Sequence, residues 1–333
     1  MEDKVDILLT TYNTKIEYLK KQIESILNQT YKNFTLIISD DCSPNEEVRE
    51  VLKEYEEKDK RIKLYFQEKN LGYTKNFEFV LTKSTANYIA FSDHDDIWYS
   101  NKIEDSIKTL KEKNVDLVYC DAKQIDENGQ VLHESYLRYK NLPIINERYQ
   151  KNILPFSRHI AIGCSQLFTK EVKDIMLPFT PHTMAHDWNS VYIASKLKGI
   201  YCIDKPLFEY RLHGNNAFGG RSFKQNMQTW KKENGNTYKS YLKYRHKVIT
   251  ETYLTGVLMC KEYCDKINHE DKKNIEEDII KYFEKSEKSK IIYLPIHKYF
   301  KYLYFKGIKK RKYKEIMILH FPLISYLIFA VLG

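Results

Sequence analysis

Cysteine is scarce: the 333 residues hold six, Cys42, Cys120, Cys164, Cys202, Cys260 and Cys264, scattered in or beside apolar runs. Without the dense spacing of a disulfide framework, they fit a reducing compartment. The opening MEDKVDILLTTYN lacks the basic start, long apolar stretch and small-residue cleavage site of a secretory signal, which implies a cytosolic protein. Long apolar runs are also missing, except Ile316 to Leu332. His320, Pro322, Ser325 and Tyr326 break that run, and it sits at the lower length limit for a bilayer span. There is no internal repeat and no Gly-rich, basic loop near the start, the phosphate cradle that a nucleotidyltransferase making an activated sugar would need.

What the chain does have is an uneven charge. Its 54 Lys and Arg against 45 Asp and Glu leave a net +9. Residues 1–220 carry 30 basic and 33 acidic side chains, a net −3, and residues 221–333 carry the other 24 and 12, a net +12. A slightly acidic domain followed by a strongly basic one suggests an anionic surface as partner of the second part only. With 42 % hydrophobic residues the chain is long enough for one large core or two modest ones.

Apolar runs and helical periodicity alternate through the first part. Strands are expected at Val5 to Thr10, Phe34 to Ser39, Ile62 to Phe66, Tyr88 to Ser92 and Leu117 to Asp121. Helices are expected at Lys15 to Asn28, Glu46 to Lys58, Thr74 to Leu81 and Lys102 to Lys113. Asp126 to Gly129 reads as a hairpin turn, and Gly163 to Phe168 and Ile200 to Ile203 as strands of a mixed extension. This order predicts an α/β fold with a parallel sheet covered on both faces and ligands at the carboxyl ends of the strands. Three polar clusters fall at those ends: Thr11 to Asn13, Asp40 with Asp41, and Asp93 to Asp96. The Gly- and Asn-rich stretch Gly214 to Gly220 marks the boundary, so 1–220 is expected to be one domain, in halves 1–100 and 101–220, and 221–333 a basic, mainly helical region.

Asp93 and Asp95 stand one residue apart after an apolar run, where two carboxylates can share a divalent cation with a phosphate-bearing ligand. The plainer reading is an acidic turn capping the next helix. The company of this turn decides between them. ILLTTYNT, SILNQTYKNFTLIISDDCS, NLGYTKNF, YIAFSDHDDIWYSNK, DLVYCDAKQIDENGQV, IGCSQLF, HDW and YRLHGNN, in that order, resemble the pattern of family 2 glycosyltransferases over residues 5–215. The FSD-x-DDIW and YR-x-HG-x-N versions resemble rhamnosyltransferase-like members.

The resemblance implies the fold called GT-A, a Rossmann-like mixed sheet for nucleotide-diphospho-sugar transfer, and an inverting, metal-dependent enzyme. It implies nucleoside contacts at Thr11, Tyr12, Asn13 and Asp41, where a carboxylate can accept from the N3–H of a uracil or thymine ring. One of Asp40 and Asp41 is expected only to cap its turn at Ser43. Asn70 and Gly72 fall on the loop beneath the nucleotide, where Gly permits a close backbone approach. By the same resemblance Asp95 coordinates Mg²⁺ or Mn²⁺, Asp93 serves the ribose or a metal-bound water, and the role of His94 is open. Asp187 matches the general base that takes the acceptor hydroxyl proton, its plainer reading being a helix N-cap. Arg211 is expected to grip the diphosphate through its fork of donors, and His213 to complete the metal site or bond a phosphate. Trp98, Lys102, His186 and Trp188 are candidates for acceptor contacts or for support of the site.

Two other patterns carry less. Cys260, Cys264 and His269 have zinc-like residue types, but four-residue spacing on a helical stretch is more simply one packed face. Basic and aromatic residues from Lys231 to Tyr244 come with no nucleic-acid reader motif, so no nucleic acid is expected. At the C-terminus, aromatic Tyr299 to Tyr304 and the cations Lys306, Lys309, Lys310, Arg311, Lys312 and Lys314 precede the apolar tail 316–332. That order predicts a segment lying on or dipping into an anionic membrane surface from the cytoplasmic side, or else packing on the catalytic domain. The expected partners are a nucleoside diphosphate sugar, UDP- or dTDP-linked, and a glycan or polyprenyl-linked acceptor in cell-surface polysaccharide synthesis.

Overall fold

The computed structural model describes residues 3–140, 142, 144–146, 160–183, 185–213, 223–235, 237, 240 and 255–267. The chain divides into two compact units, Met1–Leu212 with Asp265–Ile267, and His213–Cys264 with Asn268–Gly333. In the second unit helix Phe223–Asn234 is described, and helix Thr255–Ile267 begins there. The stretch 214–220, His269, and all of the aromatic, basic and apolar tail lie outside the described residues. Among the described residues no helix is long and apolar enough to cross a membrane.

The first unit is built on β1 (Val5–Thr11), α1 (Ile16–Leu27), β2 (Phe34–Asp40), α2 (Glu46–Lys58), β3 (Ile62–Phe66), α3 (Tyr73–Thr82) and β4 (Tyr88–Ser92). Then follow β5 (Ile97–Trp98), α4 (Lys102–Lys113), β6 (Leu117–Ile125), β7 (Val131–His133) and α5 (Tyr136–Tyr139). After a 3₁₀ turn at Gly163–Ser165 come β8 (Gln166–Thr169), α6 (Lys170–Met176), α7 (His186–Lys196) and β9 (Ile200–Arg211). The strands form one sheet in the order β3-β2-β1-β4-β8-β6-β9-β5, with β7 paired to β6.

The quarter made of β3, β2, β1 and β4 is parallel, as strands linked by helices must be. All seven residues of β1 and of β2 are buried, which is why these segments read as mainly apolar runs, with Asp6 and Thr35 as their inner polar residues. Beyond β4 the sheet turns mixed: β8 runs antiparallel to both β4 and β6, and β6 runs parallel to β9. Three elements differ from expectation. β6 continues to Ile125 and β9 to Arg211, because the two pair with each other across register shifts and so satisfy backbone groups of polar residues such as Lys123 and Gln124. Gly163–Ser165 is a turn rather than the start of a strand.

Helices cover the sheet by their apolar stripes. α1 buries Tyr18, Leu19, Gln22, Ile23 and Ile26, and α4 buries Ile103, Ile107 and Leu110. The α4 start has no side-chain cap of its own. Gln29 supplies one from the end of α1, its Oε1 accepting from Ile103 N (3.1 Å) while its Nε2 donates to Tyr99 O (2.8 Å).

One buried carboxylate pins the turn that returns the chain from α3 to β4. Asp6 Oδ2, in the middle of the sheet, accepts from Ser84 Oγ (3.0 Å), Thr85 N (2.8 Å) and Ala86 N (3.0 Å). Asp6→Ala strands those donors in the interior, so urea unfolding should show a loss of about 3 kcal/mol, with Asp6→Asn recovering part of it. A loss below about 1 kcal/mol would mean that water reaches the turn.

Candidate active site

The carboxyl ends of β1, β2 and β4 stand side by side, since Thr11 is in register with Asp40 and Leu9 with Ser92. At this edge the two aspartates after β2 divide their work. Asp40 caps its own turn: it accepts from Ser43 N (2.9 Å), from Ser43 Oγ and from Thr11 Oγ1 (2.8 Å), with Arg49 Nε at 3.7 Å. Asp41 reaches across instead, its two oxygens accepting from Leu71 N (2.7 Å) and Gly72 N (2.9 Å). Asn70 Oδ1 also accepts from Gly72 N (3.0 Å), and Gly72 holds φ +80°, a left-handed conformation suited to glycine. Asn13 and Cys42 follow β1 and β2 at φ +48° and +61°. Left-handed non-glycine residues gather where a site over-determines its backbone. Tyr12, between Thr11 and Asn13 in the first loop, is exposed.

The Asp93 to Asp96 turn leaves β4 here. Ser92 is held by Gln22 Nε2 (2.8 Å) and donates to Asp93 O (3.0 Å), and His94 Nδ1 lies 3.2 Å from Thr10 O, tying the turn back to β1. Asp95 and Asp96 are buried and Asp93 is half-buried. Asp96 Oδ1 accepts from Arg211 N (3.2 Å), and its buried Oδ2 has no nitrogen or oxygen donor. Oxygens of Asp93 and Asp96 and the Cys164 sulfur all lie within 4.8 Å of one another. Burial, then the charge of Asp95, pushes Asp93 up to about 6, and the charge of Asp187 adds to the shift. Burial with the neighbouring Asp95 and Asp93 raises Asp96 well above the carboxylate range, and burial raises the Cys164 thiol likewise. The turn therefore concentrates more negative charge than its surroundings solvate.

Two cations lie beneath it, Arg211 with its fork turned to the protein and Lys102 in the supporting one of its two expected places. Arg211 is fully buried. Its Nε donates to Asp95 O (2.9 Å), its Nη1 to Asp126 O (3.2 Å) and Glu127 O (3.4 Å), and its guanidinium carbon is 4.4 Å from the Tyr18 ring centroid. The fork expected on a diphosphate thus joins the acidic turn to the β6–β7 turn through backbone carbonyls. Lys102 is buried too, with Nζ 3.4 Å from the Trp98 ring centroid and 5.4 Å from that of Phe208, and desolvation lowers its pKa. Trp98 is itself buried, so this pair forms the floor of the site and is out of reach of an acceptor.

Opposite the turn stands the start of α7. Asp187 is not an N-cap, because Ala185 holds that position and Asp187 sits in the first turn, half-buried. Its carbonyl accepts from Gln166 Nε2 (3.1 Å) and Ser190 Oγ (3.0 Å), and Gln166 Nε2 also reaches Ala161 O (3.0 Å). His186 is buried, stacked on Phe77 at 3.7 Å and edge-on to Phe91 at 4.6 Å, so it supports the helix start and is no acceptor contact. Trp188 is half-buried. Gly163 is required by this packing: a Cβ there would fall 2.7 Å from His186 Nε2 and 3.6 Å from Asp187 Cβ. Gly163 leaves space for no side chain next to Asp187, and the next residue, Cys164, lies within 4.8 Å of Asp93 and Asp96, so one short turn stands between the two acidic groups. Sequence reasoning passed over Gly163, Cys164 and Gln166, although IGCSQLF was a readable signal. His213 opens the second unit and is described apart from this site.

The raised Asp93 has a consequence for stability. An acid whose folded pKa lies above its unfolded value of about 3.9 binds more protons when folded, so folding weakens as pH rises from about 4 through 6 and levels off above. Without added divalent cation, Asp93→Asn should flatten that part of the stability curve in denaturant titrations. An unchanged slope would remove Asp93 as its source.

The model of glycosyl transferase family 2 matches residues 6–175, just over half of the chain. An uncharacterized glycosyltransferase of Methanocaldococcus jannaschii is 39 % identical over 131 residues, 39 % of this chain and 45 % of its own length. The putative teichuronic acid biosynthesis glycosyltransferase TuaG of Bacillus subtilis is 24 % identical over 228 residues, 68 % of this chain and 85 % of its own. WfgD of Escherichia coli, a UDP-Glc:alpha-D-GlcNAc-diphosphoundecaprenol beta-1,3-glucosyltransferase, is 26 % identical over 231 residues, 68 % of this chain and 83 % of its own. The chain thus spans less than half of the Methanocaldococcus relative. Among solved structures, S. aureus TarS 1-349 with UDP-GlcNAc overlays with TM-score 0.53 at 14 % identity, covering 86 % of this chain and 92 % of that one. Mannosyltransferase PcManGT from Pyrobaculum calidifontis, with GDP-Man and Mn²⁺, overlays with TM-score 0.51 at 14 % identity, covering 99 % and 88 %. These likenesses show the fold, GT-A. With the family model spanning most of the unit that carries the acidic turn, the chain belongs to glycosyl transferase family 2.

Proposed function

We propose that the chain is an inverting, metal-dependent glycosyltransferase that moves a sugar from a nucleoside diphosphate donor to an acceptor hydroxyl in cell-surface polysaccharide synthesis. The observation that carries this reading is the approach of Asp187 to the Asp93–Asp96 turn across Gly163 and Cys164. UDP-Glc in the name of WfgD and UDP-GlcNAc in the TarS complex favour a UDP donor, and dTDP-rhamnose stays open through the rhamnosyltransferase-like motifs. The diphosphoundecaprenol in the name of WfgD favours a polyprenyl diphosphate-linked glycan as acceptor, and teichuronic acid biosynthesis in that of TuaG favours a cell-surface polysaccharide; in this reading the acceptor is met at the cytoplasmic face of a membrane. The net +12 of residues 221–333 suits such a surface.

The residues fit a hard divalent cation. After burial, Asp95 raises the pKa of Asp93, and Asp95 and Asp93 together raise that of Asp96, the mark of a carboxylate group awaiting positive charge. Asp95 is the principal ligand in this reading, with Asp93 beside it. Cys164, a buried thiol held protonated, is no ligand for Mg²⁺ or Mn²⁺. The bound metal supplies charge stabilisation for the departing diphosphate.

The chain does the rest. Thr11, Tyr12 and Asn13 line the nucleoside side, and Asp41 shapes the Asn70–Gly72 loop beneath the nucleotide, with lone pairs left for a base N–H. Asp187 accepts the proton of the acceptor hydroxyl as its oxygen attacks the anomeric carbon from the face opposite the diphosphate. Gln166 and Ser190 hold Asp187 by its carbonyl, which keeps the carboxylate aimed from a rigid helix start. Arg211 holds the β4–β5 turn in place and does not itself grip phosphate.

Asp187→Asn should cut transfer by about 10³-fold, the usual worth of a general base, with donor affinity within about twofold of wild type. Full activity in that variant would overturn the base assignment. Asp95→Ala should abolish the difference between donor titrations with and without Mn²⁺, measured calorimetrically. A persisting difference would move the metal elsewhere.

A further inference from the structure

α3 presents Asn76, Phe77, Val80 and Leu81 to the interior. Asn76 is locked to Ser39, accepting from its Oγ (2.6 Å) and donating to its carbonyl (3.1 Å), and Phe77 stacks on His186, the first residue of α7. Tyr73 stands one turn ahead of Phe77 on that same stripe, since residues four apart share a helix face. Where the rest of the stripe is covered, Tyr73 is 38 % exposed. Phe77 meets His186, so the residue one turn nearer the carboxyl edge of the sheet comes level with Asp187. In agreement, the Asp187 charge, after burial, raises the Tyr73 phenol pKa. The preceding backbone is fixed, with Leu71 and Gly72 bonded to Asp41. A rigidly mounted, half-open aromatic ring therefore stands between the nucleotide loop and the proposed base.

We infer that Tyr73 is a specificity-determining residue whose ring packs against the C–H face of a pyranose at the reaction centre. The apolar face of a sugar suits an aromatic platform, while its hydroxyls stay free for the polar rim. The inference rests on the reading of Asp187 as base. The pyranose belongs to the donor or to the acceptor, and both offer the same chemistry to the ring.

The test uses the full chain with Tyr73→Ala and Tyr73→Phe, exposed replacements at a helix start that leave the core untouched. Each is titrated calorimetrically in Mn²⁺ with UDP, UDP-glucose, UDP-N-acetylglucosamine and dTDP-rhamnose, and acceptor KM is measured with whichever donor supports transfer. For a donor ring, Tyr73→Ala loses about tenfold in affinity for the nucleotide sugar and keeps its affinity for UDP. For an acceptor ring, donor affinities hold and acceptor KM rises about tenfold. In both cases Tyr73→Phe stays near wild type. Unchanged donor affinity and acceptor KM in Tyr73→Ala, equal losses for UDP and its sugars, or a Phe variant as impaired as Ala would each overturn the inference. Asp187→Asn is assayed in parallel. If it keeps full activity the base reading fails, whatever Tyr73 does; if it is inactive while Tyr73→Ala is normal, only this inference fails.

Discussion

Like charges crowded into a poorly solvated turn are the constraint on which the rest of the site depends. Asp93, Asp95 and Asp96 leave β4 within four residues, and the charge of Asp187 reaches them from α7. Beyond burial, Asp95 and Asp187 raise the pKa of Asp93, and Asp95 and Asp93 raise that of Asp96, so the arrangement stands only if the surroundings hold the backbone firmly and bring compensating charge near. Arg211 does the first, through Asp95 O and Asp96 Oδ1. Lys102 does the second from below, its ammonium set on the Trp98 ring in place of water. A mismatch of this kind costs stability and prepares a place for a cation and a diphosphate, a common trade at active sites.

Buried carboxylates recur through the first unit as organisers of backbone. Asp6 holds the turn before β4, Asp40 the turn after β2, Asp41 the loop before α3, and Asp121 the start of α5 through Leu137 N (2.9 Å) and Ser135 Oγ. Asp40 and Asp41 do so at the carboxyl edge of the sheet, and Asp6 at the amino edge. In this way the polar residues of buried strands fix loop geometry that the apolar core, being non-directional, leaves undetermined.

Much of this was legible in the chain. β1 to β4 and the helices between them announce themselves because strands inside the sheet are mainly apolar, even the edge strand β3 keeps Ile62, Leu64, Tyr65 and Phe66, and helices keep a 3.6-residue stripe. The acidic turn and H-D-W were legible as motifs. The two-residue β5 was not, since Ile97 and Trp98 are too few for a period, and the length of β6 and β9 was not, since their polar ends are extended only by pairing with each other. Arg211 misled for a similar reason: an arginine after an apolar run has the same appearance whether its fork meets a phosphate or three carbonyls. For Lys102 and His186 the sequence left acceptor contact and support of the site both open, because nothing local says that a charged side chain or a polar ring is sealed in.

By itself, then, the sequence determined the alternating architecture, the family pattern and which residue types stand at the strand ends, because those follow from short-range periodicity and spacing. Only the tertiary structure decided which of those residues share a space. It brought Gly163 and Cys164 between Asp187 and Asp93, turned Arg211 inward to the turn, set Phe77 of α3 against the start of α7, and put Tyr73 within reach of the Asp187 charge. Those meetings join residues tens to more than a hundred positions apart, and they rest on close packing and hydrogen-bond direction, which no local pattern encodes.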